Sequence, residues 1–169
     1  QRIQFALERR TRYVEISIEV AQQIAAAPSM DELFHRVVHL IRERFGYYHT
    51  QVYTLKDQEL ILQAGTGEAG AHLKSINHRI MLIGDNTLAA RAARTGETMM
   101  VLNVYNDPGW IPDLLMAETR SEIAVPIKLS DQILGVLTVQ NNQTDSLDDE
   151  DRFLLRHLCG QIAIAIDYR

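Results

Sequence analysis

Histidine, cysteine and a glycine triplet are the residues of this chain whose types and spacing point toward chemistry. His35 and His39 stand four apart, so on a helix they share a face and offer two imidazoles to one metal ion. Glu32, Arg36, Arg42 and Glu43 share that face, and the two arginines repel a cation. The face therefore reads as a solvated helix surface. Gly65-Thr66-Gly67-Glu68-Ala69-Gly70 matches the dinucleotide fingerprint, follows a predicted strand, and has Asp85 about twenty residues further on. Three features oppose that match. The crossover leaves only about nine residues where a βαβ unit needs a helix. Glu68 sets a negative charge beside the would-be pyrophosphate, and residues 71–79 lack an apolar helical stripe. The segment is expected to be a flexible glycine loop. Cys159 lies among Leu154, Leu158 and Ile162, which makes it a small core residue rather than a nucleophile. No nucleophile, base and orienting partner occur at a recognisable spacing, so no enzyme is expected.

Composition narrows the partners. The 169 residues are 46% hydrophobic and 23% charged, an ordinary globular balance for one domain. The net charge of −5 is spread through the chain, which argues against a nucleic-acid groove or an anionic membrane surface. A single cysteine rules out a disulfide framework and fits a reducing, cytoplasmic compartment. No apolar run approaches the roughly 18 residues of a membrane span. Both ends lie inside helical patterns, so the chain is expected to be a module of a longer cytoplasmic protein.

The elements that would position these residues follow in order. Residues 2–27 lack glycine and proline and place Ile3, Leu7, Val14, Ala21 and Ile24 on a heptad-like stripe that Arg10 and Ser17 interrupt. The second half of this helix is expected to pack on its own domain; residues 1–14 either do the same or pair with a second copy. Pro28 breaks the helix, and Ser29 with Glu32 forms a capping box for the next, which ends at Gly46. Strands are predicted at 48–55 and 59–64, 80–83 and 99–104, with a helix capped by Asp85 or Asn86 and running to Arg94. Residues 105–119 are irregular and hold Trp110, which either plugs the core or touches a ligand. Arg120–Gln140 is a β-hairpin of two nearly all-apolar runs around Ser130-Asp131-Gln132, so both strands are covered on both faces. Pro126 requires a bulge or a local edge, and Gly135 marks a close backbone approach or a bend. Asp148 to Asp151 load the first turn of the last helix with acid, as its dipole favours.

In this order the pieces resemble a GAF domain over residues 29–169, with residues 1–28 as a separate N-terminal signalling helix. The resemblance rests on Asp31-Glu32-Leu33 and the helix end Arg42–Gly46, on Ala93–Glu97, Val104–Pro108, Arg120–Ile127 and Gly135-Val136-Leu137, and on the acidic start of the last helix. It implies an α+β, PAS-like fold: about six antiparallel strands, terminal helices on one face, and a small-molecule pocket on the other beneath 65–79 and 105–119. It also implies a regulatory sensor module that forms a homodimer through its terminal helices, in a two-component or similar signalling protein. The output domain would be a kinase, cyclase or transcription regulator.

Several ligands of the family do not suit these residues. Cyclic-nucleotide members carry an Asn-Lys, Phe, Asp-Glu pattern; here Asn142 precedes Gln143, Leu147 replaces the Phe, and Arg152 follows Asp151. Covalent bilin needs a lid cysteine where this chain has Pro108, Gly109 and Trp110. Methionine sulfoxide reduction needs more than one cysteine. A haem would take His49, His72 or His78 as its axial ligand. The ligand and any cofactor stay unidentified at this point. Strand alternation sets Glu122 and Ala124 opposite Ile123 and Val125, so Glu122 is expected to face the pocket. Gln51, Tyr53, Thr87, Trp110 and Arg120 join it as candidate ligand contacts by position in the family fold. The other possibility is a ligand-free dimerisation module whose side chains fill the pocket.

Overall fold

The computed structural model describes residues 2–110 and 112–169, with side chains from residue 7 onward. Among these, six strands form one antiparallel sheet: β1 (His49–Lys56), β2 (Glu59–Gly65), β3 (Arg79–Met81), β4 (Met99–Val101), β5 (Ser121–Leu129) and β6 (Gln132–Asn141). Their spatial order is β3-β2-β1-β6-β5-β4, so the predicted hairpin supplies two of the central strands. Each hairpin turns through two residues. Asp57 and Gln58 both adopt positive φ, at 53° and 65°, as a tight turn matched to strand twist requires.

Two layers cover the sheet. On one face lie α1 (Arg2–Ala25), α2 (Met30–Phe45) and α5 (Asp149–Tyr168), which share a core with Val52, Ile123, Val125, Leu137 and Val139. On the other lie α3 (Gly67–Ser75) and α4 (Leu88–Thr95), packed with Tyr53, Leu60, Leu62, Ala124 and Val136. Alternation along β5 and β6 thus splits one apolar run between two cores. Pro126 sits beyond the end of the β4–β5 ladder, which stops at Ala124, and just before a register shift at Ile127/Lys128. At Gly135 an added Cβ would stand 2.0 Å from the Tyr53 carbonyl oxygen, so only glycine lets β6 lie that close to β1.

The glycine triplet departs from expectation. Residues 67–75 form α3 rather than a flexible loop. Ala69 and Leu73 are buried in the second core, and an added Cβ at Gly70 would lie 2.1 Å from the carbonyl carbon of Gly65. The glycines therefore allow α3 to pack directly on the strand before it. β2 and β3 pair antiparallel, so there is no parallel crossover for a dinucleotide fold. The cap of α4 is Thr87 rather than the predicted Asp85 or Asn86: its hydroxyl accepts from the Ala90 amide at 3.2 Å.

Helix α1 carries two stripes. Tyr13, Ile16, Ser17, Val20 and Ile24 face the domain, and Ser17 satisfies its buried hydroxyl on the Val14 carbonyl at 2.7 Å. Leu7, Val14 and Ile18 face outward, 60%, 41% and 55% exposed. Ile3, part of the predicted stripe, lies outside the described side chains. The N-terminal half is not free of its own domain: Arg9 pairs with Asp148 and with Asp151 (3.2 Å), and Arg10 with Glu150 at 2.8 Å. No helix of the described residues is long and apolar enough to cross a membrane.

Candidate ligand pocket

A cavity of about 670 Å³ lies between the sheet, α3, α4 and the 105–119 segment. Its floor is a polar patch on three adjacent strands. β1 supplies His49, Gln51 and Tyr53, which alternate onto one face; the register sets Thr138 of β6 beside Gln51 and Gln140 beside His49 and Glu122.

Hydrogen bonds run across this floor in a fixed direction. His49 Nε2 lies 2.8 Å from Gln51 Oε1 and so donates to it, which leaves Nδ1 to accept from the Thr66 hydroxyl at 3.2 Å. Burial pushes the His49 pKa down, consistent with this neutral tautomer. Gln51 Nε2 donates in turn to the Tyr53 hydroxyl at 2.9 Å, so the tyrosine's own proton remains for another acceptor. On the far side the Thr119 hydroxyl donates to Gln140 Oε1 at 2.6 Å, and Gln140 Nε2 donates to Glu122 at 2.6 Å.

Glu122 is the charged centre of the floor. Burial raises its carboxyl to about 7, against the hydrogen bond that Gln140 donates, the attraction of Arg91 and the nearby Trp110 indole. Arg91 itself is held by Asp107 at 2.5 Å, an ion pair that also ties the 105–119 segment to α4. That segment is two single 3-10 turns, Val104–Asn106 and Leu114–Met116, opened by Asn103 and Asp113. Met116 is buried beneath it, whereas Leu114 projects into solvent.

Of the residues singled out in the sequence, Gln51, Tyr53, Thr87, Trp110 and Glu122 all border this cavity. Arg120 does not. Its guanidinium donates to the Ala117 and Thr119 carbonyls and stacks over Tyr105 at 5.4 Å. His72 and His78 border the cavity, while His49 is engaged below it. Thr138, Gln140 and Asp113 were missed. Thr138 and Gln140 follow from Glu122 by hairpin pairing and strand alternation, so that signal was present; Asp113 had none.

A family model for the GAF domain matches residues 27–167. The chain belongs to the GAF domain family. Its fold is that of the GAF domain of a phosphoenolpyruvate-protein phosphotransferase from Coxiella burnetii, with a TM-score of 0.84 at 16% identity over 94% of this chain and 95% of that one. The GAF domain of the Acinetobacter phosphoenolpyruvate-protein phosphotransferase is similar at TM-score 0.79 and 20% identity, over 92% and 93% of the two chains. So is the free methionine-R-sulfoxide reductase of Neisseria meningitidis, solved with its substrate, at TM-score 0.79 and 20% identity over 94% and 90%. No curated protein matches the chain by sequence. The same fold thus serves GAF domains of phosphotransferases and an enzyme, the reductase. In this GAF domain the one cysteine, Cys159, is buried in the helix-side core across the sheet from the cavity. Its thiol pKa is pushed up by burial.

Proposed function

We propose that this GAF domain is a regulatory sensor module that binds a small molecule in the cavity above Glu122 and relays occupancy through its terminal helices. The observation that carries this is the lidded cavity with an oriented polar floor, a form suited to a small polar ligand. Cys159 lies on the wrong side of the sheet to meet such a ligand, which favours binding over thiol chemistry. The relay follows from the strands. Glu122, Thr138 and Gln140 face the cavity, while Ile123, Val125, Leu137 and Val139 of the same strands pack in the core shared with α1, α2 and α5. A ligand that shifts β5 and β6 shifts the helices, by no more than its differential affinity for the two arrangements allows.

The outward stripe of Leu7, Val14 and Ile18 on α1, with Ile164 and Tyr168 on α5, supports a homodimer through the terminal helices. In that dimer residues 1–28 act as the signalling helix, and a kinase, cyclase or transcription regulator in the same cytoplasmic protein is the output. The same stripe favours a second reading, a dimerisation module that takes no ligand. Native mass spectrometry of the gently purified domain, against the denatured sample, separates them. A dimer carrying a mass that is lost on denaturation supports the sensor; a dimer without added mass that also binds no cavity probe supports the second reading. A monomer removes the helical dimer from both.

A further inference from the structure

We propose that the cavity selects a small organic cation: a primary ammonium group seated between the Glu122 carboxylate and the Thr138 hydroxyl, with its apolar remainder against Leu73, Ile76 and Ile80. This rests on the sensor reading and names the ligand class of the same site.

Charge comes first. The described side chains around the cavity include the carboxylates of Glu122 and Asp113 and neither lysine nor arginine. Of the two arginines close by, Arg91 pairs with Asp107 through one terminal nitrogen while its Nε has no partner among the described residues, and neither it nor Arg120, which donates to carbonyl oxygens and stacks on Tyr105, lines the cavity. Glu122 is 7% exposed, and the side chain that donates to it, Gln140, is neutral. With Arg91 acting only at a distance, a buried carboxylate that no cation touches is costly, and an incoming ammonium would lower that cost. A phosphate or dicarboxylate would meet the Glu122 and Asp113 carboxylates with only the imidazoles of His72 and His78, and no lysine or arginine, to set against them.

The second observation is independent of charge. Thr138 is 3% exposed, borders the cavity, and its Oγ1 has no hydrogen-bond partner among the described residues. Buried hydroxyls are ordinarily satisfied, so this one points to a group that arrives from the cavity. Thr138 pairs with Ala124 and Glu122 with Gln140, which makes Thr138 and Glu122 diagonal neighbours on one face. Such positions lie about 7–8 Å apart at the backbone, a span one donor between two side-chain oxygens can bridge. An ammonium has three donors and no acceptor, which suits a carboxylate and a free hydroxyl lone pair. Leu73, Ile76 and Ile80, on and after α3, give the apolar wall opposite.

The test uses three probes of one shape, hexylammonium, 1-hexanol and hexanoate, titrated into the whole chain and followed by the Trp110 indole and Thr138 amide NMR signals. Hexylammonium is expected to bind about tenfold more tightly than hexanol, and hexanoate more weakly than either. Glu122→Gln should erase the preference for hexylammonium while hexanol binding persists, which shows the cavity intact. Thr138→Val should weaken hexylammonium more than hexanol. Hexanoate binding as tightly as hexylammonium, or an unchanged preference in Glu122→Gln, overturns the cation and leaves the pocket. Failure of all three probes to bind overturns the sensor reading with it.

Discussion

Gly70→Ala tests whether the glycine triplet serves packing. The added Cβ would meet the Gly65 carbonyl carbon at 2.1 Å and its oxygen at 2.2 Å. Both are backbone atoms of β2, so no side-chain rotation relieves the clash and α3 must lift from the sheet. Overpacking of this kind costs about 1–3 kcal/mol, and the better helix propensity of alanine offsets up to about 1 kcal/mol. An overlap this deep with backbone belongs in the upper part of that range, about 2–3 kcal/mol, so the net loss is about 1–2 kcal/mol, or about 2–8 °C in Tm for a chain of this length. Because α3 buries Ala69 and Leu73, the loss should be concentrated there. Amide exchange over 67–75 should accelerate more than in α2 or α5. Gly160→Ala is the control: it is helical, nothing lies within 4 Å of its added Cβ, and it should gain about 0.5–1 kcal/mol. Thermal melts and hydrogen exchange of the two variants are the assay. An unchanged Tm for Gly70→Ala with α3 protection intact would refute the packing argument.

Four further outcomes follow from the same geometry. Burial lifts Glu122 from 4.5 to about 7, so the folded state holds the extra proton between those values and stability falls as pH rises through them. Glu122→Gln should remove that fall, gaining up to about 3 kcal/mol on the parent chain between about pH 4 and about pH 8; parallel urea-denaturation profiles would contradict it. Thr138→Val replaces an unpartnered buried hydroxyl and should stabilise the ligand-free domain by about 1 kcal/mol, checked by its Tm, whereas a loss would mean the hydroxyl is satisfied. Cys159 should resist a thiol reagent until urea unfolds the domain, and fast labelling of the native form would place it outside the core. If the proposed homodimer forms through the terminal helices, Ile18→Lys with Ile164→Lys should yield a monomer with Tm for the domain unchanged within about 2 °C, since both side chains face outward. Sedimentation showing an unaltered dimer would move the interface elsewhere.

Much of the scaffold was legible because local rules and tertiary demands agree there. Ser29 caps α2 through the Glu32 amide, Gly46 ends it in the left-handed region, and Asp148 with Asp151 closes a capping box on α5. The β5–β6 hairpin announced itself through composition, and Pro126 and Gly135 each mark the irregularity their chemistry requires. Helix α3 was illegible for the opposite reason. Gly67, Gly70 and a short polar sequence disfavour a helix locally, and burial of Ala69 and Leu73 against the sheet overrides that preference. Arg120 was misplaced because its backbone lies just before β5 beside the lid, while its long side chain turns outward to carbonyls and Tyr105.

By itself the sequence determined the family, the two-faced strands and the face that Glu122 takes, since these depend on periods of two and 3.6 residues written along the chain. The tertiary structure alone decided what that face meets. That Arg91 pairs with Asp107, that Gln140 is turned by Thr119 to donate toward Glu122, and that Thr138 is left without a partner among the described residues are relations between distant segments. No local pattern encodes them, because hydrogen-bond partners and burial are fixed only when the sheet, α4 and the lid close around one volume.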